Sequence, residues 1–198
     1  MMARPEAIRV ERLDPSRRAD FFRVHAPERG EGWCCCVAWW VASWDGWQAR
    51  TAEENRALRE RLFEKGEDDG YLAYEGEEPV GWCQVGRRDR LAKLVSQFDL
   101  APDPDAWAVT CFVVAPESRR RGVARRMLEH VIADLPARGA RRLEAFPRRL
   151  EPQAGGTPTP ADPGAHWTGP ERLFRDLGFR ERAARDGRLV MELELPGV

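Results

Sequence analysis

The spacing of apolar residues changes several times along the chain, and each change predicts an element. Ile8 and Val10 alternate with Arg9 and Glu11, a period of two that predicts a short strand ended by Asp14-Pro15. A helix is expected next, through Phe21, Phe22 and Val24. The stretch EGWCCCVAWWVASWDGW holds five of the eight tryptophans and three of the five cysteines, but its apolar residues fit neither period, so it reads as irregular. Thr51 followed by Glu54 is a capping-box arrangement, and Leu58, Leu62 and Phe63 continue it at helical spacing to a stop near Gly66. GYLAYEGEEPVGWCQVG, Tyr71 to Gly86, is two apolar runs around a turn of Gly, Glu and Pro, hence an antiparallel hairpin. AWAVTCFVVA is almost wholly apolar and rich in β-formers, as in a central strand covered on both faces.

After Pro116 the period becomes helical, with Val123, Met127, Val131 and Leu135 on one stripe and Leu128 and Ile132 beside it, until Pro136 and Gly139 end it. RRLEAF is then a strand, and a strand, helix and strand in that order predict a parallel pair with a right-handed crossover. Residues 147–166 are dense in Pro and Gly and read as a long insertion loop. GPERLFRDLGF predicts a short helix from Pro170 to Gly178, and RLVMELEL alternates as a last antiparallel strand. The expected fold class is α/β on a mixed sheet.

Length and charge narrow this picture. A chain of 198 residues buries roughly 70% of its unfolded surface, so one domain spanning 1–198 is expected. Lys plus Arg (32) nearly equals Asp plus Glu (33), which speaks against a general polyanion binder. The charge is local instead: from Glu117 to Arg149 ten arginines face four acids, a net of +6. Because all basic residues except Lys65 and Lys93 are arginine, biased composition explains part of that clustering. Met1 to Asp14 lacks the apolar core of a signal peptide and no apolar run approaches the ~20 residues of a membrane span, so a cytoplasmic address without membrane contact is expected. Five cysteines in a chain of this size read as reduced thiols, and the adjacent Cys34, Cys35 and Cys36 cannot readily converge on one metal ion.

The densest charge is in VVAPESRRRGVARRML, where residues 119–126 hold five arginines around one glycine and one alanine. A loop of this kind between a strand and a helix start turns several backbone N–H groups into one concavity, to which the helix dipole adds positive potential, so it suits a phosphate. Gly122 lets the ligand approach the backbone, Ala124 leaves the first helical turn open, and Arg119, Arg120, Arg121 and Arg125 can clamp phosphate oxygens. The Lys-Ser/Thr pair of a P-loop and the three glycines of a dinucleotide fingerprint are both missing.

These residues resemble the acyl-CoA signature of the GNAT superfamily of N-acetyltransferases, Arg/Gln-x-x-Gly-x-Gly/Ala after a strand ending in Val-x-Pro, with Arg119, Gly122 and Ala124 at the motif positions and Val114-Ala115-Pro116 before them. RRLEAF, LFRDLGF and the final strand extend the resemblance from about Trp107 to Leu195. It implies a mostly antiparallel sheet with a splayed parallel central pair flanked by helices. It also implies acetyl-CoA as co-substrate, an amine acceptor and no metal. The loop residues 119–125, Val123 included, would hold the diphosphate. The backbone of Phe112, Val113 and Val114 would pair with the pantetheine arm, Val113 N–H facing the thioester oxygen, while Phe174 stands where the superfamily commonly has a tyrosine acid and Trp167 where it has an asparagine. Glu144 in LEAF is the first candidate for general base, with His166 and Asp45 in reserve; His25 and His130 read as ordinary helix residues.

Trp33, Trp39, Trp40, Trp44 and Trp47 are candidates to wall an acceptor pocket, against the alternative that they are core or homodimer contacts. Two further readings compete with a transferase. One is a CoA-binding sensor or interaction module without turnover, suggested by Phe174; the other is a nucleic-acid patch, disfavoured because no aromatic interleaves the arginines before Phe146.

Overall fold

Seven strands form one sheet in the order β1-β2-β3-β4-β5-β7-β6 in the computed structural model, which describes residues 7–26, 32–149, 167–185 and 187–197. They are β1 Ile8–Arg12, β2 Tyr71–Glu75, β3 Glu78–Arg87, β4 Ala106–Val114, β5 Arg142–Ala145, β6 Arg180–Arg185 and β7 Arg188–Glu194. The helices are α1 Arg18–Val24, α2 Ala52–Glu64, α3 Ala92–Phe98, α4 Val123–Asp134 and α5 Glu171–Asp176. All strand pairs are antiparallel except β4 with β5, which run parallel as the strand-helix-strand order predicts. No helix among the described residues is long and apolar enough to cross a membrane.

Alternation along each strand sends side chains to two differently covered faces. Tyr71, Ala73, Val109, Leu143 and Ala145 join Val123, Met127 and Phe174 under α4 and α5. Leu72, Tyr74 and Trp82 pack with Phe21 and Phe63 on the other face, while Ala108 and Phe146 pack there with Trp39, Leu94 and Phe98. Because β4 is covered on both sides, every residue from Ala106 to Val113 is buried, which accounts for its unbroken apolar run.

The capping box of α2 forms as expected: Glu54 N donates to Thr51 Oγ1 at 3.2 Å and Thr51 N donates to Glu54 Oε2 at 2.8 Å. Two elements add to the sequence-based picture, the helix α3 and the edge strand β6, whose six residues are all exposed. Of the insertion expected at 147–166, the described part runs beside β7, with Arg149 N donating to Gly187 O and Leu189 N to Pro147 O, each at 2.9 Å.

Candidate functional site

The arginine loop is built by backbone turns that the sequence dictates. Ala115 N donates to Val80 O at 2.8 Å and ends the ladder of β4, Pro116–Ser118 makes one 3-10 turn, and the chain then passes through left-handed Arg120 (φ 58°) and Gly122 (φ 85°) into α4. The first helical donor to find a carbonyl is Arg126, whose N–H reaches Gly122 O at 2.9 Å. Among the described residues, the six N–H groups from Arg120 to Arg125 donate to no backbone carbonyl. A Cβ placed on Gly122 would meet nothing within 4 Å, so the turn is open on that side. Unbonded donors at a helix start, with the dipole behind them, are an arrangement that suits an anion.

The guanidinium groups surround this row. Arg119 Nε donates to Val114 O at 3.0 Å, Arg121 pairs with Glu75 at 3.0 Å, and Arg125 reaches Glu129 and Asp176 at 3.4 Å. The side chains of Arg121 and Arg125 are each 43% exposed, and ion pairs of that kind contribute only ~0–1 kcal/mol, so an anion can take these arginines over at small cost. Ile8, Glu75, Arg121, Gly122 and Arg125 border a cavity of about 550 Å³ at this end of α4.

Just before this loop the central pair opens. β4 and β5 pair only from Ala106↔Arg142 to Val109↔Ala145, while β4 runs on to Val114. A bulge at the start of the opening leaves Thr110 between the partners of Gln84 and Val85, with its Oγ1 buried and unbonded. Since the N–H of Ala115 faces β3, alternation turns that of Val113 toward β3 as well, and those of Phe112 and Val114 toward the opening. Phe112 N–H donates there to the carbonyl of Trp167 at 2.6 Å. The next turn is tight: a Cβ on Gly169 (φ 90°) would lie 2.8 Å from the Phe174 ring and 3.0 Å from that of Phe112. Phe174 is fully buried against Phe112 and Phe179.

Glu144 lies on the face opposite α4 and is 2% exposed. Its Oε1 accepts from Arg88 Nη1 at 2.9 Å and lies 3.7 Å from Arg142 Nε, while Oε2 is buried without a partner. Burial pushes its carboxyl above the usual carboxylate range, and Arg88 and Arg142 oppose that shift. Arg88, 3% exposed, also donates to Asp89 and to the carbonyl of Ala101. Asp45 is exposed and accepts from Ser43 Oγ at 3.1 Å. His25 is buried on Phe21, and desolvation drives its pKa down to about 3, so it is a neutral core residue. His130 is exposed at the edge of the Tyr71 ring, and His166 lies outside the described residues.

The tryptophan segment sits on the same face as Glu144. Trp39 and Trp47 are buried, Trp44 (40%) and Trp33 (38%) are exposed, and Trp39 stacks 5.7 Å from Trp167. Cys35 (φ 40°) and Cys36 (φ 51°) turn through left-handed backbone, held by the buried Arg59, which donates to the carbonyls of Cys35 at 3.0 Å and Cys36 at 2.5 Å. Cys36 Sγ lies 2.9 Å from Cys111 Sγ and accepts from Trp82 Nε1 at 3.1 Å, and burial pushes the Cys36 thiol well up. No group of metal-ligating side chains occurs among the described residues.

Residues 33–153 match the Acetyltransferase (GNAT) family, and the chain belongs to that family. The fold is shared with solved N-acetyltransferases at low identity. The ribosomal-protein-S18-alanine N-acetyltransferase of Escherichia coli is 15% identical (97% of this chain, 96% of that one, TM-score 0.53). An N-acetyltransferase of Staphylococcus aureus Mu50 is 12% identical (96% and 100%, TM-score 0.55). The PaiA N-acetyltransferase of Thermoplasma acidophilum, solved in complex with coenzyme A, is also 12% identical (95% and 99%, TM-score 0.54). No curated protein matches the sequence.

Proposed function

We propose that the protein is an acetyl-CoA-dependent N-acetyltransferase that acylates a primary amine of a small molecule or protein. The observation that carries this reading is the row of amides from Arg120 to Arg125, unbonded among the described residues, in the loop that follows the end of β4 left unpaired by β5. A diphosphate supplies the acceptors those amides lack, and Arg119, Arg121 and Arg125 add charge, each charge-assisted bond being worth ~1.5–3 kcal/mol. Acetyl-CoA, when bound, supplies the acyl thioester. The Trp167 carbonyl on Phe112 N–H stands in for an amide oxygen of the pantetheine arm, and Phe112 and Val114 offer the donors on that side of β4. A fixed N–H aimed at the thioester oxygen stabilises the negative charge that builds there by about 3 kcal/mol. Glu144 is the residue we assign to accepting the acceptor's proton: burial raises its basicity, Arg88 and Arg142 oppose that shift, and Oε2 is unpaired. Phe174 carries no proton to return to the departing thiolate, so solvent or the acceptor's own proton serves.

Thiol release from acetyl-CoA over a broad amine panel tests the reading. At least one primary amine is expected to raise release well above the amine-free rate. Binding of acetyl-CoA without release by any amine would replace the transferase reading with that of a CoA-binding sensor, which the missing acid at Phe174 favours.

A further inference from the structure

Lys93, in the first turn of α3, is 9% exposed, and its Nζ has no hydrogen-bond partner. A buried ammonium ordinarily needs two or three acceptors. Here ring faces replace them: Nζ lies 3.4 Å from the centroid of Trp44, 5.7 Å from that of Trp39 and 5.8 Å from that of Trp47. Lys93 forms no ion pair among the described residues, and desolvation brings its pKa down to about 8. The box has a wet side and a dry side. Trp44 is 40% exposed and is pinned by its Nε1 to Gln97 Oε1 at 2.8 Å, whereas Trp39 is buried and touches Trp167, whose carbonyl holds Phe112 N–H in the opened strand pair. Two rings therefore separate a cation site from the place where acyl transfer is proposed.

We infer that the box of Trp39, Trp44 and Trp47 is the subsite that recognises a second ammonium group of the acyl acceptor, distinct from the amine that is acylated, and that Lys93 is the internal cation that fills it until the acceptor enters. This rests on the transferase reading. Rings without a carboxylate favour an organic ammonium, a methylated one above all, over a metal ion or an acid, since attraction to the ring quadrupole survives desolvation. The four-carbon stem of Lys93 allows its ammonium to withdraw to water, so one cation replaces another and the rings are never left without one.

The chain has only two lysines, Lys93 and the exposed Lys65, so competitive amine labelling read by mass spectrometry reports on the box with an internal reference. Two unreactive probes distinguish the sources of the ligand: tetramethylammonium chloride for a free small amine, and an N-acetylated peptide bearing one trimethyllysine for a protein side chain. The labelling ratio of Lys93 to Lys65 is expected to rise at least tenfold with one or both probes and to stay unchanged in sodium chloride at equal ionic strength. A response to the small cation alone assigns the site to the second ammonium group of a small polyamine, and a response to the peptide at lower concentration assigns it to a cationic side chain of a protein acceptor. Trp44→Ala is expected to expose Lys93 to label without any probe and to abolish the probe effect; if that variant does not fold, the wild-type ratios decide. A wild-type ratio unmoved by both probes, or moved equally by sodium chloride, overturns the inference. Because acetyl-CoA binding is measured separately, its presence beside an unmoved ratio rejects the box alone, while its absence rejects the transferase reading itself.

Discussion

Gly122→Val is expected to weaken acetyl-CoA binding by about a hundredfold while the protein still folds. Gly122 sits at φ 85° as the residue before α4, where a β-branched side chain costs roughly 1–2 kcal/mol of backbone strain. Its Cβ would meet no protein atom within 4 Å, so the added bulk is expected to act on a ligand held by this turn rather than on packing. Losing one or two charge-assisted bonds of ~1.5–3 kcal/mol each corresponds to about a hundredfold in affinity, since ~1.4 kcal/mol is tenfold. Calorimetry on the wild type and the variant, with thermal unfolding as the control for the fold, measures both parts. Equal affinity would remove the loop from the binding site.

Arg88→Met is expected to destabilise the fold by about 3–5 kcal/mol, the usual cost of leaving a buried charge without its partner. Arg88 and Glu144 have side chains only 4% and 3% exposed and meet at 2.9 Å, and Arg142 Nε is 3.7 Å away, too far to replace the lost hydrogen bond. Adding Glu144→Leu removes the stranded carboxylate and is expected to recover most of the loss. The pH dependence has a definite sign. Burial already raises the Glu144 pKa above 4.5 and Arg88 opposes this, so without Arg88 the folded-state pKa rises further. A group protonated more readily when folded than when unfolded loses stability as pH rises from its unfolded pKa through its folded one. The deficit of Arg88→Met against wild type is therefore smallest near pH 4.5 and largest above the folded pKa, which denaturant titrations across that range measure. A pH-independent deficit below 1 kcal/mol would contradict the assignment of this pair.

What the chain declares about itself depends on whether the signal is local. The capping box at Thr51, the alternation of β1, the apolar run of β4 and the stripe of α4 are each written within a few residues of where they act, and each forms. Helix α3 was hidden because Leu91 gives it no side-chain cap, and it stops at Asp99 in a left-handed conformation rather than at a glycine. Strand β6, RERAAR, is an exposed edge strand with no apolar face to register. The left-handed turn into α4 was legible since glycine, arginines and helix start adjoin in sequence. The donors at the opening were legible only to the strand: the resemblance puts Val113 N–H on the thioester, while alternation from Ala115 turns that N–H toward β3 and those of Phe112 and Val114 toward the opening. Arg59, Arg88 and Lys93 carry no local mark. In an arginine-rich chain their burial becomes visible only when Cys35, Glu144 and Trp44 arrive from distant segments.

On the proposed function, the amides of residues 120–125 grip the diphosphate of acetyl-CoA. Hydrogen exchange resolved to single amides, with and without saturating acetyl-CoA, addresses it directly. Those six amides, which have no backbone acceptor among the described residues, are expected to slow by tenfold or more while the amides of β6 stay unchanged. Acetyl-CoA binding that leaves 120–125 exchanging at the free rate would contradict the account.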